Sequence, residues 1–508
     1  MWLSNSPSYV KRLAQTAAPV WEAEKKGVVA MQNGPSIKTI IEPAREIKVF
    51  READVVVVGG GPGGHSAAVA AARNGANTVL VERYGYLGGM ATGGLVTHFS
   101  HLSDGTDEQQ LAGLCQEWLD RLDARGGAVH PRKEDLGSSD KELVDYWRGK
   151  IRTSVCREGR ITLCADIDPE ILKCVLNDMA EEAGVKLLLH SWGTRAIVDK
   201  NQVQGVVFES KSGRQAILAK VIIDATGDGD LLPSAGAEFN TTIDVHLRLQ
   251  NSALTFRIGN VDIEKFAKFR KSEPEKHAEL ARQVIREGGI PWFSRASFDS
   301  VWTIEPSIVH FNNNVPGFNI LDVEDLTALE VYMRRRMIMT YDLLKKQVPG
   351  FESSFIMLTA PQLGTRGSRR LIGEYTLTQA DIWAGTIFED TIAVCPDIAY
   401  LVSPEHPHRH IPYRSLVPRG VENLLVAGRC YSSEDRVNNE VNRIPHCIAM
   451  GQAAGTAAAL AIKHGVKLRD IDYRELHNSL LAQGVVLPDI EKTPAKANAA
   501  EFEKARNW

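Results

Sequence analysis

Hydrophobic and polar positions change their rhythm along this chain, and each change marks an element. Residues 55–58 form an unbroken β-branched run, the pattern of a parallel strand buried on both faces. The run stops at Gly59-Gly60-Gly61-Pro62-Gly63-Gly64, and residues 65–74 are mostly alanine, predicting a helix that opens near Pro62 and lies close on a sheet. Gly75 ends it before a second strand at 78–81, closed by Glu82. Helical spacing returns in 109–126, and residues 127–150 read as a polar insertion. Asp168-Pro169 has the form of an N-cap and first turn for a helix reaching about Ala183. Short strands follow at 185–190, 194–199, 203–210 and 215–218, the signature of a β-meander. A further buried strand, 220–224, then breaks into Ala225-Thr226-Gly227-Asp228-Gly229-Asp230.

Beyond about residue 240 the texture differs. Residues 247–258 alternate as a strand, 263–287 and 323–347 are charged amphipathic helices, and 422–429 is a strand ending in glycine. An Ala- and Gly-rich helix at 448–464 and a short one at 473–483 complete the pattern. The expected class is α/β, a Rossmann-like parallel sheet plus β-meander, with an inserted α+β domain. The expected divisions are an N-terminal arm, 1–50, a nucleotide-binding domain in two parts, 51–240 (with a helical insertion at about 100–160) and 411–470, an inserted domain, 241–410, and a C-terminal helix and tail, 471–508. The arm carries one short helix at 20–26 and the apolar anchors Trp2, Trp21, Ile47, Val49 and Phe50.

Composition changes the picture mainly by exclusion. The 508 residues are 44% hydrophobic and 24% charged with net charge −4, so nothing attracts a phosphate backbone and nucleic acid is not an expected partner. No run reaches a membrane-spanning length, and the N-terminus has no apolar signal core. The seven cysteines form no CxxC pair and no metal-ligand spacing with the fourteen histidines, as in a reduced, cytoplasmic protein. His406, His408 and His410 alternate, but Pro407 breaks the strand that would place them on one face, and no metal is expected. A small-molecule substrate is expected, while homo-oligomerisation and the electron acceptor stay open.

The glycine turn carries the chemistry. Gly59, Gly61 and Gly64 keep the spacing that lets backbone amides approach a pyrophosphate at a helix N-terminus, and Glu82 stands where a carboxylate accepts from an adenosine ribose. On these residues alone the cradle suits NAD or FAD. The loop 83–94 is too glycine-rich for an element and can press its backbone on a flat ligand. Taken with Leu87–Gly94 (LGGMATGG), Ile222–Leu231 (IIDATGDGDL), Gly364–Thr378 (GTRGSRRLIGEYTLT), 411–418 (IPYRSLVP), NLLVAGR at 423–429 and GQAAGTAAA at 451–459, the chain resembles the FAD-dependent oxidoreductases of the glutathione-reductase-like superfamily, in the branch similar to fumarate reductase and succinate dehydrogenase flavoproteins.

That resemblance implies FAD as cofactor, with three glycine turns converging on it and the inserted domain capping the flavin. It implies cofactor contacts at Gly59, Gly61, Pro62, Gly63, Gly64, Glu82, Arg83, Gly88, Gly89, Met90, Thr92, Gly93, Gly94, Thr226, Gly227, Asp228, Gly428 and Arg429. It also sets the amides of Gly451, Gln452 and Ala453, at the start of the helix 448–464, against the pyrimidine edge of the flavin, where a helix N-terminus favours negative charge. The family's dicarboxylate-binding set cannot be placed here residue by residue. His98 lies near the place of a covalent flavin link, or is a plain loop histidine near the ring.

A flavin leaves the protein to position substrate, move a proton and hold charge. The candidates are His446 for proton transfer, Arg366 and Arg369 for a carboxylate, with Arg370 beside them, and Arg443, Tyr413 and Arg414 on the same logic. Against each stands a structural role: a loop hydrogen bond for His446, and an ion pair with Glu374 for the arginines. The expected activity is that of an FAD-dependent dehydrogenase or reductase moving hydride between a small organic substrate and flavin N5. The alternatives are a flavin monooxygenase using NAD(P)H and oxygen, or an electron-transfer flavoprotein subunit.

Overall fold

A parallel sheet ends in glycine turns along one edge. The computed structural model describes residues 40–151, 154–287, 304–396 and 408–490; the helix expected at 20–26, Trp2, Trp21, His406 and the tail from Lys492 lie outside the described residues. Strand β1 (Lys48–Val58) runs into helix α1 (Pro62–Arg73) and returns as β2 (Thr78–Val81). The excursion that follows contains α2 (Leu114–Asp123) and α3 (Lys141–Lys150). Helix α4 (Pro169–Glu182) starts on the expected cap, Asp168, which accepts from the amides of Glu170 at 2.7 Å and Ile171 at 2.9 Å. It leads into β3 (Lys186–Leu188), β4 (Trp192–Asp199), β5 (Gln202–Ser210) and β6 (Gly213–Asp224).

The sheet order is β3-β2-β1-β6-β5-β4. β1 pairs in parallel with β2 and with β6, whereas β6, β5 and β4 form the antiparallel meander. β6 is one continuous strand where two were expected. Its first half pairs with β5, and its last residues, Ile222–Asp224, pair in parallel with β13 (Leu424–Val426), introduced below. β1, β2, β6 and β13 therefore end at the same edge of the sheet, the place where open α/β sheets bind ligands.

Residues 247–258 do not make the single strand that their alternation suggests. A 3₁₀ turn over Arg248–Gln250 leads to β7 (Asn251–Ala253) and then β8 (Phe256–Gly259). The expected long helix is two, α5 (Ile263–Ser272) and α6 (Pro274–Glu287), because Pro274 lacks an amide hydrogen and turns Glu273 out of helical geometry. β9 (Val309–Phe311), β10 (Asn314–Pro316), α7 (Val323–Gln347), β11 (Phe355–Thr359) and β12 (Gly364–Thr365) follow. β7 pairs with β10 and β12, and β8 with β9 and β11. Phe256, Phe266, Phe269, Phe311 and Phe351 fill a hydrophobic cluster separate from those of the main sheet.

The chain returns through β13 (Leu424–Val426) into α8 (Ile444–His464) and ends its described course with α9 (Tyr473–Ala482). α8 is buried from Ile444 to Ala461. It lies against α1 at a distance only glycine permits: a Cβ on Gly451 would stand 2.0 Å from the Gly63 carbonyl oxygen, and one on Gly455 2.1 Å from that of Ala67. Gly451→Ala is accordingly expected to lower stability by about 2–3 kcal/mol or prevent folding. Gly149→Ala, in α3 with no atom within 4 Å of the added Cβ, should be neutral or stabilising by up to about 1 kcal/mol. Thermal unfolding of the two variants checks the contrast, and equal effects would contradict it.

Candidate functional site

One long cleft follows the sheet edge, enclosing about 1440 Å³ of space that is partly open to solvent. At one end Glu82, Arg83, Tyr84, Ser191 and Trp192 line it. Burial pushes the Glu82 carboxyl above its ordinary range, while amide hydrogen bonds pull the other way. Its oxygens accept from Gly60 N–H at 2.5 Å and Tyr84 N–H at 2.8 Å, leaving lone pairs for a further donor. The Arg83 guanidinium lies 4.9 Å from the Tyr84 ring centroid and 5.9 Å from that of Trp192. This flat-sided frame was not foreseen from the sequence, since Trp192 falls at a strand start with nothing to single it out.

In the middle the glycine turns meet. Gly59, Gly61, Pro62 and Gly63 line the cleft, as do Gly89, Met90 and Gly94 opposite, and Thr226, Gly227, Gly428 and Arg429 at the ends of β6 and β13. A Cβ on Gly61 would find nothing nearer than Gly89 Cα at 3.9 Å, so its open side belongs to the cleft. No side chain caps α1; its positive end and first amides stand beside the hollow. Arg429 donates to Asp228 at 2.6 Å and to Thr365 Oγ1 at 2.9 Å. Burial opposes the charge on both, yet Arg429 and Ser368 hold Asp228 below its usual range, and Asp228 raises Arg429. Asp230 also lines the cleft; burial, Asp228 and Asp224 push its carboxyl up to about 6.

Several expected contacts stand behind this surface. Gly64 is needed for packing, because its Cβ would stand 1.7 Å from the Gly59 oxygen. Gly88 donates its N–H to Gly60 O at 2.8 Å, Thr92 Oγ1 donates to Leu87 O at 2.6 Å, and Gly93 O accepts from Gln362 N–H at 3.0 Å. Asp228 reaches the cleft only through Arg429. The helix start also moves: α8 begins at Ile444, so Gly451, Gln452 and Ala453 sit well inside it with their amides in its own ladder. The Gln452 side chain accepts from Leu114 N–H at 2.9 Å. Ile444, Pro445 and Cys447 are the residues of that helix that line the cleft. The apolar spacing understated the helix because Pro445 reads as a breaker, although proline is well placed in a first turn.

At the far end Arg248, Ala253, Thr255, Asn312, Gln362, Thr365, Arg366, Asn442 and Arg443 enclose the chamber, with His98 and Ser100. Of the expected reactive residues, Arg366 and Arg443 are here and five are elsewhere. Tyr413 is fully buried, donating its hydroxyl to Leu468 O at 2.9 Å beside Tyr473. Arg369 donates to Asp228 O at 3.1 Å and pairs with Asp230 at 3.2 Å. His446 is fully buried, off the cleft wall, and its Nδ1 accepts from Arg443 N–H at 3.4 Å. Burial and the cations Arg443 and Arg409 keep it neutral, well below its ordinary range. Glu374 pairs with Arg469 and not with Arg366 or Arg369. Arg414 forms a two-pronged pair with buried Asp390, both contacts at 3.0 Å, and Arg370 donates to Ser433 O at 3.2 Å and Thr242 O at 2.6 Å. The imidazole that does line the cleft is His98, whose Nδ1 lies 2.7 Å from buried Asp166.

The family model for FAD-dependent oxidoreductases matches residues 54–480. The chain belongs to this family. It is therefore an enzyme that works with FAD. Digeranylgeranylglycerophospholipid reductase 2 of Methanopyrus kandleri is 25% identical over 176 residues, a match covering 35% of this chain and only 38% of that protein. The structure of a geranylgeranyl bacteriochlorophyll reductase-like protein from Thermoplasma acidophilum is 15% identical over 90% of this chain and 96% of its own, with a TM-score of 0.41. That of p-nitrophenol 4-monooxygenase from Pseudomonas putida is 12% identical over 90% and 92%, with a TM-score of 0.42.

The residues fit FAD by their own chemistry. The cleft offers a carboxylate with spare lone pairs for a ribose, an uncapped helix end and open glycine for a pyrophosphate, and a chamber with buried polar atoms lacking partners, Gln362 Oε1 and Arg443 Nε among them. Glu82→Ala should weaken FAD retention by on the order of 1.5–3 kcal/mol per hydrogen bond lost, and Glu82→Gln by less. Dialysis against dilute buffer with the released flavin quantified checks this; wild-type retention in Glu82→Ala would place the adenosine elsewhere.

Proposed function

We propose that this FAD-dependent enzyme is a dehydrogenase or reductase of a small organic substrate, working in the cytoplasm. The observation that carries the reading is the chamber at the end of the nucleotide track, lined by Arg248, Thr255, Asn312, Gln362, Arg366 and Arg443 among others. FAD bound in the cleft supplies the redox step by exchanging hydride at N5. Gly59, Gly61, Gly63, Glu82 and Arg83 hold the dinucleotide half, and Met90, Gly94 and the first turn of α8 border the chamber. The segment 241–410 acts as a cap that keeps bulk water from the reacting carbon.

The proton that accompanies hydride is assigned to His98. Imidazole suits proton transfer near neutral pH, and Asp166, 2.7 Å from Nδ1, holds the ring in place. His446, neutral and off the wall, serves instead to brace the Arg443 turn. The free state of all seven cysteines supports a reducing compartment. The partial likeness to a Methanopyrus kandleri protein named as a reductase goes in the same direction. No helix among the described residues is long and apolar enough to cross a membrane.

Anaerobic mixing of the yellow holoprotein with small acids, alicyclic ketones and aromatic alcohols, each as a possible donor, tests the reading. Bleaching by one class without NAD(P)H is expected. Reduction only by NADPH with oxygen uptake would instead indicate a monooxygenase, and no reduction by any small molecule an electron-transfer role. With the substrate in hand, His98→Asn should slow bleaching by about 10²–10⁴-fold at unchanged FAD content. A wild-type rate would remove His98 from the chemistry.

A further inference from the structure

The chamber holds more positive charge than its protein surroundings balance. Arg248, Arg366 and Arg443 all line it, and among the described residues the carboxylate that reaches them is Glu440, 3.6 Å from Arg443 Nη2. The Arg366 guanidinium makes no hydrogen bond or ion pair with another described residue. Arg248 donates from Nε and Nη2 to Asn439 O and from Nη2 to Asn442 Oδ1 at 3.1 Å, contacts with neutral oxygens only. The crowding is electrostatically costly: burial, Arg248 and Arg429 push Arg366 down to about 9, and burial, Arg248 and Arg366 bring Arg443 down to about 9 despite Glu440.

Elsewhere in this half of the chain several partly buried arginines meet carboxylates: Arg369 with Asp230, Arg414 with Asp390, Arg429 with Asp228, and Arg469 with Glu374. The chamber differs from those pairs, and it is a built one. Asn442 donates its amide to Arg366 O at 3.2 Å and accepts from Arg248, tying together three segments far apart in sequence. An uncompensated cation in a water-poor hollow persists where a ligand supplies the missing charge. The pyrophosphate does not account for it, since that group has the uncapped end of α1 as its cradle, bordered by Arg429, which is already paired.

We propose that the substrate carries an oxyanion, a carboxylate or a phosphate, and that Arg248, Arg366 and Arg443 hold it in the chamber, with Asn442 as the positioning residue. The inference rests on the redox reading above and names the substrate class of that site. Guanidinium forks match both oxyanions two-pronged. Three arginines against one glutamate leave a surplus of two charges, so a dianion is held better than a monoanion.

The test titrates the FAD-loaded full chain with acetate, malonate and inorganic phosphate at constant ionic strength set with chloride, reading the visible spectrum of the bound flavin and the thermal midpoint. Saturable responses to malonate or phosphate are expected, with acetate at least about tenfold weaker; whichever of the two dianions binds more tightly assigns the carboxylate or phosphate source. In Arg366→Met the apparent Kd should rise at least about tenfold, while FAD content stays at one per chain and the midpoint of the ligand-free holoprotein holds or rises, because an unbalanced buried charge has been removed. A purely structural arginine would lower that midpoint. Arg248→Met, which also loses contacts to Asn439 and Asn442, should weaken binding and lower the midpoint together. Loss of FAD from Arg366→Met with anion binding intact would hand the arginine to the cofactor and overturn the proposal, as would a fully loaded wild type that answers to none of the anions. Anion binding in a protein whose flavin no donor bleaches would support the oxyanion site and sink the hydride reading alone.

Discussion

The close approach of α8 to α1 is the constraint on which the site depends. Two helices distant in sequence touch backbone to backbone because Gly451 and Gly455 present no Cβ to Gly63 and Ala67. That contact fixes where α8 begins, and so places Ile444, Pro445 and Cys447 on the cleft wall and Arg443 at the chamber. It also holds β13 beside β6 through Ala427, whose carbonyl oxygen lies within 3.1 Å of where a Gly63 Cβ would be. One packing interface thus aligns the three glycine turns, and the ligand surface follows from it. A side chain larger than hydrogen at either glycine would part the turns before it altered any chemistry.

Charge divides the cleft into parts with different duties. At the Glu82 end a buried carboxylate accepts from backbone amides. In the middle, ion pairs neutralise one another, Arg429 with Asp228 and Arg369 with Asp230. At the far end the cations outnumber the carboxylates, and the balance is left to whatever binds. The two histidines differ in setting: His446, buried among arginines, stays uncharged, whereas His98 lines the cleft with its Nδ1 held by Asp166.

The nucleotide half of this architecture was legible because its signals are local. Strand, glycine turn, alanine helix and terminal acid lie within residues 54–82, and β1, α1, β2 and Glu82 stand where the pattern puts them. Helices with strong caps, α4 behind Asp168 and α7 over Val323–Gln347, were equally plain. The chamber was half legible. Arg366 and Arg443 stood out as arginines in glycine- or proline-marked turns, but Arg248 was hidden in a stretch that alternates like a strand and folds as a 3₁₀ turn. Tyr413, Arg369 and His446 carry the same side-chain chemistry as the residues that line the cleft, and only tertiary packing reveals that each is committed elsewhere. Helix α3 was missed because its buried stripe is short, Val144 and Trp147, within a polar stretch.

The central claim is that one cleft holds the dinucleotide at the glycine turns and presents its reactive ring to the arginine chamber. A crystal structure of the FAD-loaded protein tests this most directly. The account predicts adenosine density against Glu82 and Trp192, the pyrophosphate at the N-terminus of α1, and the flavin ring beside Ile444–Cys447 and the Arg366 guanidinium. A ring lying at the Glu82 end, or a cofactor seated outside this cleft, would contradict it.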